Sequence, residues 1–190
     1  MCGGSELKFI PQSIPDVFLI KPKIYNDNRG YFYETFRKDL IENTIGYRIN
    51  FCQDNESKST KGVIRGLHYQ IGSYSQSKLV RVICGRVLEV AVDIRKSSPT
   101  VGQHVAIELS SSNKHQLFIP RGFAHGFIVL SDTAIFAYKV DNYYSPEHER
   151  GIAFNDEDIG IEWQIPNVDM NFSKKDKMLP RLKDAIDFFD

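Results

Sequence analysis

The feature that most constrains the fold is a run of alternating residues between positions 86 and 94. The even positions carry Leu88, Val90, Val92 and Ile94, and the odd positions carry Val87, Glu89, Ala91 and Asp93. Because successive side chains of a strand point to opposite faces, this period-two pattern predicts a β-strand. A second apolar run, residues 78–83, precedes it across the tight turn Cys84-Gly85. The two runs predict an antiparallel hairpin.

Further strand-like segments recur along most of the chain, separated by turn residues such as Asn26–Gly30 and Ser97–Thr100. They cover residues 17–20, 31–36, 48–53, 63–70, 103–109, 117–119, 124–130 and 133–141. Short strands spaced about 8–12 residues apart predict a sandwich or barrel. Residues 38–45 and 181–189 are the exceptions and predict helices, the second from apolar residues at i, i+3, i+4 and i+7 spacing.

Composition predicts one domain spanning 1–190, since 190 residues with 42% hydrophobic content suffice for a single core. Lysine plus arginine and aspartate plus glutamate each number 24, so net charge gives no reason to expect a nucleic acid or a membrane as partner.

The cysteines Cys2, Cys52 and Cys84 form no CxxC pair and no disulfide framework. With no signal-like or membrane-spanning run, we expect a cytoplasmic location.

The segment Arg65-Gly66-Leu67-His68-Tyr69-Gln70 contains the first candidate for chemistry. Read as a regular strand, it places Gly66, His68 and Gln70 on one face and Arg65 on the other. Glycine inside a strand marks a bend or a close approach to the backbone. Histidine transfers protons near neutral pH, although a half-buried histidine hydrogen-bonded within a sheet fits this segment equally well.

A second histidine lies in residues 120–125, which have the P-x-G-x-x-H form of the second cupin motif. Metal-binding cupins carry H-x-H and a nearby glutamate in their first motif, but here the corresponding place reads His68-Tyr69-Gln70, and Glu89 lies far downstream. Two histidines without a carboxylate at that spacing make a poor zinc or iron site. The sequence therefore predicts no metal and leaves acid–base chemistry.

Tyr138 and Lys78 supply the other groups that such chemistry needs, an acid and a cation. Taken singly, Tyr138 also fits a core residue, Lys78 a surface lysine and His125 a buried histidine beside a turn. The order of the motifs along the chain distinguishes these alternatives.

Nine motifs follow one another along the chain. They are N-R-G-Y-F-Y-E, Q-D-N-E-S-K-S, R-G-L-H-Y-Q, K-L-V-R-V, V-A-V-D-I-R-K-S-S-P-T, F-I-P-R-G-F-A-H-G-F, Y-K-V-D-N-Y-Y-S-P-E, D-I-G-I-E-W and S-K-K-D. From about Pro15 to Asp176 the chain thereby resembles the dTDP-4-dehydrorhamnose 3,5-epimerase family. The resemblance implies a mainly β, cupin-type jelly roll, that is, a double-sheet antiparallel β-barrel with short peripheral helices. It also implies a homodimer, a dTDP-sugar substrate and neither cofactor nor metal.

The resemblance assigns catalytic roles to four residues. It places the catalytic base at His68, with Asp176 as the carboxylate that orients it. Tyr138 falls on the proton donor, and Lys78 falls on the lysine that faces the keto oxygen of the sugar. These groups match the chemistry of a 4-keto sugar, whose protons at C3 and C5 are acidic because the resulting enolate is delocalised onto the C4 oxygen.

Binding roles follow from the same resemblance. Nucleotide contacts fall on Gln53, Asp54, Asn55, Arg65, Glu149 and Lys175, while His125 lines the sugar pocket and Tyr144 stacks on thymine. Arg29 and Glu34 belong to the N-terminal segment, about residues 1–36, which in the family reaches the site of the neighbouring subunit.

Two departures from the family pattern and three alternatives accompany this interpretation. Gln76-Ser77-Lys78 replaces the frequent Q-G-K, and Glu89 stands where many members have aspartate, so Glu89 repositions His125 if the two pair. The alternatives are a single-site C3 or C5 epimerase or 3,4-ketoisomerase, a metal-dependent cupin oxygenase and a non-catalytic sugar- or nucleotide-binding cupin. The metal content of the purified protein separates the oxygenase from the others.

Overall fold

Thirteen strands and one α-helix form most of the regular structure in the computed structural model, which describes residues 7–166, 169–185 and 189. They are β1 Lys8–Pro11, β2 Phe18–Lys21, β3 Tyr25–Asp27, β4 Gly30–Phe32, α1 Lys38–Ile45, β5 Gln53–Thr60, β6 Ile64–Gln70, β7 Lys78–Cys84, β8 Arg86–Asp93, β9 His104–Ser110, β10 Gln116–Ile119, β11 Phe123–Val129, β12 Thr133–Val140 and β13 Glu149–Gly151. Within these described ranges, no helix has both the length and the apolar character needed to cross a membrane.

Two antiparallel sheets face each other. One has six strands in the order β1-β2-β10-β7-β12-β5, and the other has five in the order β13-β6-β11-β8-β9. Both runs of the predicted hairpin form strands, β7 and β8, but their predicted pairing is wrong. Strand β7 lies in the first sheet and β8 in the second, so the turn at Gly85 connects the two layers. The predicted double-sheet jelly roll is confirmed.

Strand β8 is buried on both faces, because a second apolar layer covers the five-stranded sheet from outside. Its odd positions, including Val87 and Ala91, pack in the core between the sheets. Its even positions pack in a separate cluster with Trp163 and other residues from the C-terminal part of the chain. The alternation found in the sequence therefore separates two apolar environments, and Glu89 points into the inner one.

Helix α1 was predicted correctly, but two strand predictions were displaced. The predicted strand at 48–53 is wrong, because residues 48–52 are irregular and the strand is β5, Gln53–Thr60. Its polar sequence has low intrinsic β propensity, and pairing along its whole length with β12 holds it in the sheet. The predicted strand at 31–36 shortens to the three residues of β4.

The helix predicted over 181–189 is replaced by a single 3-10 turn, Leu182–Asp184. Ala185 already has extended backbone with ψ of 128°, and Phe189 forms a parallel bridge with Arg95. Leu182 and Phe189 pack against the outer apolar cluster, so tertiary contacts account for the spacing that suggested a helix. Residues 186–188 of the predicted helix lie outside the described residues.

A β-bulge in β6 changes which side chains face the inside of the barrel. His125 of β11 pairs with His68, and Phe127 pairs with Arg65, so Gly66 and Leu67 together oppose the single residue Gly126. The extra residue reverses the alternation. The prediction that Arg65 and His68 lie on opposite faces is therefore wrong, since both line the same cavity.

Gly66 and Gly126 make the bulge possible through close contact of their backbones. A Cβ on Gly126 would lie 2.6 Å from the Arg65 carbonyl oxygen and 2.9 Å from Gly66 Cα. A Cβ on Gly66 would lie 2.5 Å from Gly126 Cα. The expected close approach to the backbone at Gly66 is thus its contact with the neighbouring strand.

We predict that Gly126→Ala destabilises the fold by about 3 kcal/mol or more, because backbone atoms of β6 have to move to admit the methyl group. Urea-induced unfolding measures the change. Gly46→Ala is the control, since φ there is 81° but no heavy atom lies within 4 Å of an added Cβ, and it should cost only about 1–2 kcal/mol. A Gly126→Ala variant as stable as the control would contradict the close-contact argument.

Candidate active site

A cavity of about 640 Å³ opens between the two sheets, beside the bulge of β6. Eleven of the residues that the sequence singled out line it: Gln53, Asn55, Arg65, His68, Lys78, His125, Tyr138, Tyr144, Glu149, Lys175 and Asp176. The five-stranded sheet contributes His68 and His125, and the six-stranded sheet contributes Lys78 and Tyr138. Groups separated by up to 123 positions in the chain thus converge on one space.

His68 and Asp176 form a hydrogen-bonded pair in this cavity. His68 Nε2 lies 2.7 Å from Asp176 Oδ1, and the Asp176 side chain is only 5% exposed. Burial raises the pKa of Asp176, but the hydrogen bond and the charge of His68, with a smaller influence of the Ser173 side chain, outweigh burial and hold it below its ordinary value. Asp176 is therefore ionised near neutral pH and accepts the Nε2 proton, which leaves the Nδ1 lone pair of His68 free.

Asp176 reaches His68 from the C-terminal strap, residues 169–180, which crosses the end of the barrel. Asn171 holds one end, since its amide donates to the Gly62 carbonyl and its carbonyl accepts from the Ile64 amide, each at 2.9 Å. The Pro180 carbonyl holds the other end by accepting a hydrogen bond of 2.8 Å from the Ala153 amide. The backbone of the strap is therefore fixed on both sides of Asp176.

Lys78, His125 and Glu89 form a buried row. Lys78 Nζ lies 2.8 Å from His125 Nε2, and His125 Nδ1 lies 2.8 Å from Glu89 Oε1. Burial lowers the pKa of Lys78 to about 8, against the opposing influence of Glu89 and Glu149. Burial, Lys78 and His68 hold the pKa of His125 well below its usual value, so its imidazole is neutral. The expected contact between Glu89 and His125 is present.

Tyr138 stands beside Lys78 on the six-stranded wall. Lys78 Nζ lies 5.8 Å from the centre of its ring, and the His125 ring centre lies at 6.4 Å. Burial raises the pKa of the Tyr138 hydroxyl, and Glu149 adds to this effect while Arg65 opposes it. The hydroxyl consequently keeps its proton near neutral pH and is available as an acid.

One end of the cavity is lined by a polar cluster around Glu149. Its Oε2 accepts hydrogen bonds from the Tyr144 hydroxyl at 2.7 Å and from Lys175 Nζ. Gln53 accepts a bond of 3.1 Å from the Tyr144 amide, so the backbone of Tyr144 is fixed while half of its surface stays exposed. The cluster presents an aromatic face and the cationic side chain of Lys175 to the cavity, which Arg65 also lines.

Comparisons with known proteins decide the family. The family model described as dTDP-4-dehydrorhamnose 3,5-epimerase matches residues 11–184. The chain belongs to this family. A Shigella flexneri protein of that name is 55% identical over 85% of this chain and 89% of its own length, and one from Salmonella typhimurium is 52% identical over 93% and 96%. The crystal structure of a dTDP-6-deoxy-D-glucose-3,5-epimerase from Legionella pneumophila in complex with dTDP-4-keto-L-rhamnose is 47% identical, with a TM-score of 0.91 over 96% of this chain and 95% of that one.

Three residues that the epimerase resemblance assigned to the site lie outside the cavity of this chain. Asp54 points to the opposite face of β5 from Gln53 and pairs with Lys139 at 2.7 Å. Arg29 and Glu34 lie on and beside the β3–β4 hairpin, where they contact Asp27 and Arg37. Alternate residues of β5 face opposite sides of the sheet, but the sequence predicted no strand beyond residue 53, so no local signal separated Asp54 from its neighbours.

Sequence reasoning also missed several cavity residues. They are Glu56, Ser57, Val63, Ile64, Tyr69, Gln70, Gln76, Phe127, Phe136, Asn171, Phe172 and Ser173. Gln70 shares a predicted face with His68, so strand periodicity could have found it. Ser57 alternates with Asn55 in β5, a strand that the sequence did not predict. Ser173 gave no such signal, because only the fold of the C-terminal strap brings it to Asp176.

No group of three histidine, cysteine, aspartate or glutamate side chains that could hold a metal ion occurs within residues 7–166, 169–185 and 189. The pair of cavity histidines makes other contacts, His68 with Asp176 and His125 with Lys78 and Glu89. These contacts fix which ring nitrogen of each histidine carries the proton.

We predict that Gly62→Ala loosens the C-terminal strap, because a Cβ there would lie 2.2 Å from the Asp169 carbonyl oxygen. Limited trypsin digestion followed by mass spectrometry should show cleavage at Lys174, Lys175 and Lys177 about tenfold faster than in the unaltered protein. Gly46→Ala, with a similar φ and no crowding, should leave these cleavages unchanged. Equal rates in the two variants would show that Gly62 does not hold the strap.

Proposed function

We propose that the protein converts dTDP-4-dehydro-6-deoxy-D-glucose to dTDP-4-dehydro-L-rhamnose by inverting C3 and C5, a step of dTDP-L-rhamnose biosynthesis. It is an isomerase, as its family membership and its relatives indicate. One observation carries the proposal. A histidine oriented by a carboxylate stands on one wall of the cavity, and a protonated tyrosine with a lysine stands on the other.

His68 removes the proton from the sugar carbon in this mechanism. Its Nε2–H donates to Asp176, so Nδ1 is the basic nitrogen that faces the substrate. The electron pair of the broken C–H bond moves into the sugar and onto the C4 oxygen as an enolate. Asp176 stabilises the imidazolium that forms, and a positioned base of this kind contributes about 10²–10⁴-fold to the rate.

Lys78 and Tyr138 complete each inversion from the six-stranded wall. The ammonium group of Lys78 stabilises the negative charge on the C4 oxygen, an effect of about 3–4 kcal/mol by analogy with an oxyanion-hole donor. Tyr138 then gives its proton to the carbon on the face opposite His68 and is reprotonated from solvent. The imidazolium of His68 releases its proton, and the sequence of steps repeats at the second carbon.

The polar end of the cavity suits the dTDP group. Arg65 and Lys175 supply positive charge for the diphosphate through charge-assisted hydrogen bonds. Tyr144, with 53% of its surface exposed, offers its ring for stacking on thymine. In this arrangement, polar contacts with the nucleotide come from Gln53, Asn55 and Glu149, and His125 contacts the sugar.

We further propose a homodimer in which the N-terminal hairpin completes the partner's cavity. The residues of β3 and β4 are all exposed, and Tyr31 and Phe32 expose 58% and 67% of their surface. An aromatic hairpin of this kind is normally covered. A second copy of the chain is the partner that also explains Arg29 and Glu34, which have a role in the family but lie outside the cavity of their own chain.

A cytoplasmic location is part of the proposal. Cys52 and Cys84 are free thiols, as expected in a reducing compartment. The substrate class agrees with this location, since nucleotide sugars are made from nucleoside triphosphates.

We predict that His68→Asn and Tyr138→Phe separate deuterium exchange from inversion. His68→Asn should reduce exchange of the C3 and C5 protons with deuterated water at least about 10²-fold, because the base is lost. Tyr138→Phe should still exchange protons through His68 but should impair inversion, because the acid on the opposite face is lost. NMR of the 4-keto sugar nucleotide measures deuterium content and product configuration together.

The same spectra test the competing functions with the unaltered protein. Deuterium at both carbons with inversion of both supports the 3,5-epimerase, whereas inversion of one carbon alone shows a single-site epimerase. Movement of the carbonyl to C3 shows a 3,4-ketoisomerase. Exchange at the unaltered rate in His68→Asn would mean that another residue is the base.

We predict that Arg29→Ala and His68→Asn complement each other in mixed dimers. Arg29→Ala alone should lower kcat/KM about tenfold or more, because a charged hydrogen bond to the diphosphate is lost. After equal amounts are unfolded and refolded together, about a quarter of the sites should hold both His68 and a partner's Arg29. Activity no greater than the sum of the two separate variants would contradict a shared site.

A further inference from the structure

The carboxyl group of Glu89 is buried in the apolar core, where removing a charge from water costs free energy. The side chain has no exposed surface and lies in the apolar core between the two sheets, near Ala91 and Phe127. Its Oε1 contacts His125, but Oε2 has no hydrogen-bond partner among the described residues. Burial raises the pKa of Glu89 well above its usual value and Lys78 opposes this effect, so an ionised Glu89 reduces the stability of the fold and depends on the nearby lysine for its charge.

A purely structural role does not account for an acid at this position. A glutamine of the same length would offer an amide oxygen to His125 Nδ1 without a buried charge, and a methionine would fill the same space with no polar group at all. What glutamate adds is negative charge two hydrogen bonds away from Lys78. The charge therefore requires an explanation in the chemistry of the cavity.

We propose that Glu89 is a positioning residue that acts through His125 to keep Lys78 an ammonium ion aimed at the sugar's C4 oxygen. This inference rests on the proposed function, in which Lys78 stabilises the enolate. Glu89 itself does not touch the substrate, since it lies behind His125 and is not part of the cavity lining.

The donor and acceptor roles in the row follow from the charge on Lys78. An ammonium group can only donate, so His125 Nε2 accepts and the ring proton lies on Nδ1. The Nδ1–H then needs an acceptor, which the Glu89 carboxylate provides. With the opposite tautomer, the Nε2–H of His125 would point at the ammonium group and displace it. Glu89 thus fixes both the direction and the protonation of Lys78.

The other titratable groups around Lys78 do not replace Glu89. Glu149 also raises the pKa of Lys78, but by less than Glu89, and its carboxylate is already engaged by Tyr144 and Lys175. Tyr138 is neutral, since burial raises its pKa, and His68 faces Asp176. His125 is neutral as well, because burial keeps its pKa well below the usual value. Of the two carboxylates that oppose the effect of burial on the pKa of Lys78, Glu89 has the larger influence.

Loss of the Glu89 charge should change the pH dependence of kcat. Lys78 must be protonated to stabilise the enolate, so activity falls as pH rises through its pKa, which burial lowers to about 8. Loss of the Glu89 charge lowers this pKa further. The basic limb of the pH profile for kcat should therefore move to lower pH, while the affinity for dTDP stays the same.

The test compares Glu89→Gln and Glu89→Met with Glu108→Gln, which makes the same chemical change on the neighbouring strand at a half-exposed side chain paired with Arg86. NMR of selectively labelled lysine side chains follows the titration of Lys78 without any substrate. Both Glu89 variants should lower its midpoint by about 1–3 pH units, and Glu108→Gln should leave it unchanged. An unchanged midpoint in a folded Glu89 variant overturns the proposal.

Activity measurements provide a second, independent result. Glu89→Gln should lower kcat at pH 8 about tenfold or more, shift the basic limb as described and keep or raise the unfolding midpoint in urea. In a Lys78→Met background the same substitution should have little further effect, since Glu89 acts through Lys78. If Glu89→Gln lowered kcat by the same factor with and without Lys78→Met, the proposal would be overturned.

An unaltered protein that does not epimerise its substrate would instead refute the proposed function. The lysine titration would still decide whether Glu89 controls the protonation of Lys78.

Discussion

The close contact between the backbones of Gly66 and Gly126 is the constraint on which the site depends. It allows β6 and β11 to meet at a bulge, and the bulge directs both Arg65 and His68 into the barrel. A regular strand would direct one of them to the outer apolar layer, because alternate residues face opposite sides. The position of His68, the proposed base, therefore depends on these two glycines, because a side chain on either one would prevent the close contact.

The two-sheet architecture supplies what proton transfer on opposite faces of a sugar requires. A single sheet presents its side chains from one side only, whereas the cavity has His68 on one wall and Tyr138 with Lys78 on the other. Asp176 comes from the C-terminal strap, which contributes no strand to either sheet and is tied by backbone hydrogen bonds near Asn171 and Pro180. The proposed base, the carboxylate that orients it, and the acid together with the cation are thus held by three separate parts of the fold.

Buried charge distinguishes this site from the surrounding core. Burial shifts the pKa of Lys78 and of Glu89 in opposite directions, and each residue partly offsets the shift of the other. Such a pair does little for stability, because desolvation of both charges opposes their attraction. Its value lies in presenting a cation to a cavity that is otherwise lined in part by Phe127 and Phe136. The fold thus gives up some stability where the chemistry needs charge.

The sequence by itself determined the β architecture, helix α1 and the residues proposed for the chemistry. Strand periodicity reports which faces are buried, and the nine motifs identified His68, Lys78, Tyr138 and Asp176 without coordinates. Local patterns could not predict β5, whose polar residues are held by pairing with β12, or the turn at Leu182–Asp184, where apolar spacing reflects packing on the outer cluster.

Only the tertiary structure decided which side chains share the cavity. The bulge moved Arg65 to the face of His68, and the pairing of β5 with β12 turned Asp54 away from the cavity. The barrel also brought Glu89 into contact with His125, which in turn contacts Lys78. The reason is that register between strands and the path of a strap depend on contacts between residues far apart in the chain, which local propensity does not encode.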